Sequence, residues 1–144
     1  MIDKQKILEK VYTKTYYIGE SKKGKDPDIK FIQAGKDDAD ILSDYLSDEI
    51  NRMKGYMAKR LIDFSFDNES ISLTTNRPDK EIMMSVIECS FESYLVEYLS
   101  WKWIKDNYPQ IADPSDMENR LWQLKDNITS LSPIVRRRAT EMGV

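Results

Sequence analysis

The side chains that most often do chemistry in proteins are nearly absent from this chain. Its 144 residues include no histidine and a single cysteine, Cys89. The commonest acid–base residue and the commonest metal ligand are therefore both missing. Cys89 stands among Val86, Ile87 and Phe91 in a helical pattern, which reads as a buried reduced thiol, with no histidine to activate it as a nucleophile. Phosphate chemistry comes closer. Residues 19–26, Gly-Glu-Ser-Lys-Lys-Gly-Lys-Asp, match the phosphate loop GxxxxGK(S/T) at every position but the last. There Asp26 would place a carboxylate beside the phosphates where a hydroxyl should hold magnesium, and the Asp-Pro-Asp-Ile-Lys-Phe that follows is no convincing helix N-terminus. Nucleotide hydrolysis is rejected on that chemistry. Asp40, Asp44 and Asp48 stack at i, i+4 spacing. They read as a solvated helix face, because a divalent cation needs ligands converging from several directions. Asp63, Glu81 and Glu88 show no motif spacing. The expectation is a protein that is not an enzyme, with no catalytic residue, no metal and no cofactor.

The elements that position these side chains are mostly helical. Ile7, Leu8 and Val11 predict a short helix over residues 3–14, with Asp3 as a possible cap. Residues 19–28, lysine-rich with two glycines and a proline, have nothing to bury and predict an exposed loop. From residue 37 to about 63 the series Ile41/Leu42, Tyr45/Leu46, Ile50, Met53, Met57, Leu61 steps by three or four, an amphipathic helix with acids at its start and bases toward its end. Alternation in Phe64-Ser-Phe66 and in residues 70–75 reads as a hairpin or arm, which must pack on the helices or pair with a neighbouring subunit. Residues 79–108 form the central helix. Trp101 and Trp103, two positions apart, point in different directions, so one of them is expected to be partly exposed, either covering the helix end or making a subunit contact. Asp113 as N-cap and Pro114 at the first helical position open a last helix over 114–131, whose seam Met117, Leu121, Leu124, Ile128, Leu131 packs against the central one.

The fold class predicted is mainly α: a small helical bundle with antiparallel long helices and a short β-hairpin or arm at about 64–75. Three regions follow along the chain: residues 1–36, a helix and lysine-rich loop; 37–132, the helical core; and 133–144, a basic tail holding Arg136, Arg137 and Arg138. A chain this long buries roughly two thirds of its unfolded surface, which fits a single core. Net charge is −3, against general affinity for nucleic acid or an anionic membrane, so such binding would have to be local. No stretch has the 18 or more apolar residues of a membrane span, and the N-terminus lacks the apolar run of a signal peptide, so a cytoplasmic location is expected.

The order of parts resembles the neck proteins of tailed bacteriophages, the head–tail connector or head-completion family. The resemblance spans roughly residues 37–138. It is carried by Asp40-Ile-Leu-Ser-Asp-Tyr-Leu46, the β segment, Tyr94-Leu-Val-Glu-Tyr-Leu-Ser-Trp-Lys-Trp-Ile104 and the closing helix before Pro133. The stretch Lys10-Val-Tyr-Thr-Lys-Thr-Tyr-Tyr-Ile-Gly19 looks like prophage-encoded proteins of gut Bacteroidetes. The resemblance implies a structural virion protein, a homo-oligomeric ring between portal and tail proteins that lines a DNA channel. Ring interfaces are heterologous. Candidates for the subunit interface are Phe64, Phe66, Ile71, Leu73, Trp101 and Trp103. Lys22, Lys23, Lys25 and Arg136–Arg138 are candidate contacts to the DNA backbone or an acidic partner. The alternative is a helical adaptor module, monomeric or dimeric, that binds one partner protein through an apolar groove.

Overall fold

The computed structural model describes residues 1–23, 32–75, 80–111 and 114–131. The chain is mainly helical with a small antiparallel sheet, as its patterning predicts.

Strand β1, Ile2–Asp3, runs directly into helix α1, Lys4–Lys23. The helix continues well past residue 14 because Thr15 and Ile18 extend the buried stripe of Ile7, Leu8 and Val11. Gly19 to Lys23, expected in a loop, are thus helical, while the rest of that expected loop lies outside the described residues. Thr15 is fully buried yet satisfied, its hydroxyl donating to the Val11 carbonyl at 2.9 Å and accepting from the Ala34 N–H at 2.9 Å. That contact lays residues 32–35 along α1. Gly19 lets the same segment approach, since a Cβ there would stand 2.6 Å from the Ile32 Cβ.

A 3-10 turn over Lys36–Asp38 leads into α2, Ala39–Tyr56. The Gly35 N–H donates to Asp38 Oδ2 and the Asp38 N–H to the Gly35 carbonyl, both at 2.9 Å, which closes this start reciprocally. Leu42, Leu46, Ile50 and Met53 form its buried stripe. The predicted continuation to residue 63 is corrected. Met57 and Leu61 keep the helical spacing and are both buried, but a turn separates them and Leu61 opens strand β2, Leu61–Phe66. Equal spacing reports only that both side chains reach the core.

β2 pairs with β3, Ser70–Thr75, with Phe64 opposite Leu73 and Phe66 opposite Ile71; β1 adds to the other side of β3, giving the order β1-β3-β2. The turn is set by Asp67, whose Oδ1 accepts the Glu69 and Ser70 N–H groups at 2.8 Å, a bonding pattern that holds its carboxyl below the usual carboxylate range. Phe64, Ile71 and Leu73 are buried, Phe64 meeting Phe91 edge to face at 5.4 Å. The hairpin takes the first of its two predicted options and packs on the helices.

Helix α3, Lys80–Asn107, is the axis of the molecule, in contact with α1, α2, β3 and α4, Pro114–Leu131. The cross-pairs Met1–Glu88, Lys10–Glu92 and Lys14–Glu97 advance together, so α1 runs parallel to α3. Glu97–Arg120 and Tyr94–Lys125 advance oppositely, so α4 is antiparallel. Ile128 of the predicted α4 seam is fully buried, and Met117, Leu121, Leu124 and Leu131 pack against the core. The expected cap Asp113 lies outside the described residues.

Two expectations on α3 are corrected by its central position. Trp101 and Trp103 are both buried, because cover on several sides gives two directions a core. Cys89 is exposed, since it stands two residues from each of the buried Ile87 and Phe91 and therefore on nearly the opposite side of the helix from them. One core unites Ile7, Val11, Ile18 and Ile32 with Leu46, Ile71, Leu95 and Ile128, so the residues before 36 belong to the same body as those after it.

Candidate functional site

Two buried carboxylates organise the polar side of α3. Glu97 is only 4% exposed and receives three donors: Trp101 Nε1 at 2.8 Å and Arg120 Nε at 2.7 Å on Oε1, and Lys14 Nζ at 3.1 Å on Oε2. Burial opposes its ionisation, but the Trp101 hydrogen bond and the Lys14 and Arg120 charges outweigh it and hold the carboxyl below the usual carboxylate range. One side chain thereby ties α1, α3 and α4. On the opposite flank Glu49 of α2, 1% exposed, accepts from the Tyr94 hydroxyl at 2.6 Å and faces Arg52 at 3.4 Å. Burial, then the bond to Glu49, pushes the Tyr94 phenol far up, and burial raises Tyr98 beside it. Tyr45, bonded to Asp106 at 2.6 Å, is pushed up to about 12 by that bond and by burial.

Between α1 and α4, over α3, lies a groove in two connected stretches of about 540 and 280 Å³ that share Lys10, Lys14 and Val96. The larger stretch is walled by Lys6, Lys10, Lys14, Thr13 and Tyr17, and Tyr17 is 65% exposed. Arg120 and Leu124 of α4 form the far wall of the smaller one. The other face of α4 carries Trp122, 64% exposed, with exposed Glu118 and Asp126 one turn before and after it. Arg120 faces the groove, and Trp122, two residues on, lies roughly 200° around the helix.

Of the side chains named from sequence as a subunit interface, Phe64, Ile71, Leu73, Trp101 and Trp103 are inside this chain's own core and Phe66 is half-buried under Lys4. The five buried side chains are thus covered by this chain itself, and of the six Phe66 alone keeps a substantial part of its ring outside. Of the candidate anion contacts, Lys22 and Lys23 end α1 with side chains outside the described residues; Lys25 and Arg136, Arg137 and Arg138 lie wholly outside them. Sequence reasoning missed Glu49, Glu97 and Trp122. Trp122 had a signal, a large aromatic one position off the Leu121 seam. The two glutamates had none, since nothing local distinguishes them from solvated neighbours. Among the described residues no group of three or more His, Cys, Asp or Glu could hold a metal, and no helix is long and apolar enough to cross a membrane. Comparison with protein-family models, curated proteins and solved structures returned no match.

Proposed function

We propose that this chain is a structural, protein-binding subunit, and specifically a head–tail connector subunit of a tailed bacteriophage that joins portal to tail in a ring. The observation that carries the protein-binding part is Trp122, a large aromatic held out from a helix whose opposite face is packed into the core. Tryptophan is among the residues most enriched at interface hot spots, which makes the 64% exposed Trp122 the candidate anchor for a partner. The connector part rests on the resemblance in the order of helices and β segment. A rigid body, tied through Glu97 and Glu49, with docking features on two sides, is what a ring subunit requires.

Solution mass by light scattering, at several concentrations, with portal or tail proteins absent and then added, tests the reading. A defined high-order ring, or a monomer that enters one with its partner, is the expected result. A concentration-independent monomer or dimer that ignores every virion component overturns it and leaves the adaptor module, with the groove between α1 and α4 as its binding face.

A further inference from the structure

We infer that the open edge of β2 is the seat of residues 134–139 of the same chain, which pair along it as a fourth strand parallel to β2. The inference goes beyond the assembly reading and does not depend on it. Among the described residues β2 has a strand on one side only, β3. The Asp67 N–H donates to the Ser70 carbonyl at 3.0 Å, so 67 and 70 form a hydrogen-bonded pair. Alternation then turns the Ser65 backbone toward Ser72 and leaves the N–H and C=O groups of Phe64 and Phe66 pointing away from β3. Such an edge is usually guarded by lysine, proline or a bulge. Leu61-Ile-Asp-Phe-Ser-Phe66 has neither residue, and its one irregularity falls between Leu61 and Asp63, short of this stretch.

Connectivity, length and charge name the occupant. Helix α4 ends beside the start of β2: Arg60, the residue before Leu61, donates from Nη1 to the Thr129 carbonyl at 3.0 Å, two residues short of the last helical residue, Leu131. Ser132-Pro133 then takes the chain out of the helix, and six further residues at about 3.3 Å each span β2 from end to end. The β-branched Ile134 and Val135 come first, beside Leu61, and the arginines follow. Phe64 and Leu73 face the core, so the alternate positions Asp63, Ser65, Ser72 and Thr74 lie on the outer face. Lys4 already faces Asp67, whereas the exposed Asp63 has no ion pair among the described residues. Arg136 and Arg138, two apart, share one face of a strand and come to Asp63 together. The arginines thereby find an acidic partner inside their own chain, and the edge is closed to pairing with another.

The test is amide hydrogen exchange, residue by residue, on the full chain at two protein concentrations. The Phe64 and Phe66 amides, which point away from β3, should be protected to the same degree at both. Ile134→Pro with Val135→Pro removes neighbouring N–H groups of both parities from the added strand, and should speed exchange at Phe64 and Phe66 by about fivefold or more while leaving Ser65, whose N–H faces β3, unchanged. Asp63→Arg should speed the same two amides, and Arg136→Asp with Arg138→Asp added to it should slow them again, a rescue that general loosening of the hairpin would not produce. Circular dichroism and thermal melting check that each variant keeps its fold. Phe64 and Phe66 amides that exchange freely in the unaltered chain, or that stay protected in the double-proline variant, overturn the inference. Protection that grows with concentration overturns it too, since the edge then pairs with a second copy. None of these outcomes touches the connector reading, which is decided by solution mass with portal and tail proteins.

Discussion

At the scale of single residues, a carboxylate placed where water cannot reach it needs donors, and Glu97 has three from three helices. Removing it strands the buried Trp101 N–H, whereas Lys14 and the 57% exposed Arg120 can turn to solvent. Glu97→Ala should therefore cost about 1–3 kcal/mol, the penalty of an unsatisfied buried donor rather than of a broken surface ion pair. Lys10→Ala, which removes a single pair made by a 58% exposed lysine and leaves no buried donor stranded, should cost under about 1 kcal/mol. Urea denaturation of the two variants decides the matter, and equal losses would mean that Glu97 acts only as another surface charge. Neither glutamate was legible in the sequence. Burial of a charged side chain depends on which distant residues arrive beside it, and Glu97 and Arg120 meet only because α4 folds back on α3.

At the scale of elements, two helical glycines make opposite predictions. Gly19 sits where residue 32 presses on α1, and an added Cβ would lie 2.6 Å from Ile32 Cβ and 2.9 Å from its carbonyl oxygen. Backbone cannot move away cheaply, so Gly19→Ala should destabilise by about 1–3 kcal/mol. Gly55, near the end of α2, has nothing within 4 Å of that position, so Gly55→Ala should stabilise by about 0.5–1 kcal/mol through helix propensity. Thermal melts showing the same sign for both would contradict the packing of residue 32 on α1. The phosphate-loop likeness ends at this scale as well: Gly19, its first glycine, is a packing contact inside a helix.

At the scale of the whole molecule, pH should limit stability from both ends. Glu97 ionises at lower pH in the fold than at its ordinary value of 4.5, so it contributes stability above that value and loses it as pH falls through the lowered one. Tyr94 ionises at higher pH than its ordinary value of 10.0, so its contribution is full below 10.0 and is lost as pH rises beyond it, with Tyr98 and Tyr45 shifted the same way. Unfolding free energy measured against pH should show a plateau between these values. Glu97→Gln should flatten the acid limb, and Tyr94→Phe should remove part of the alkaline one. An acid limb of unchanged steepness in Glu97→Gln would show that other carboxylates carry it.

What the sequence determined by itself was local: the helical class, α4 from Pro114 to Leu131, the central helix within a residue of each end, and the hairpin about Asp67. In each, periodicity, proline and turn residues act within a few positions, and that information is written along the chain. What only the tertiary structure decided was which faces have neighbours. Trp101, Trp103, Phe64, Ile71 and Leu73 are core while Trp122 and Cys89 are surface, because α3 is covered on most sides and α4 on one. The same cause ended α2 at Tyr56 and made Leu61 the start of a strand. A helical repeat says that a side chain is wanted inside, and the backbone's route there is settled by the elements it must meet.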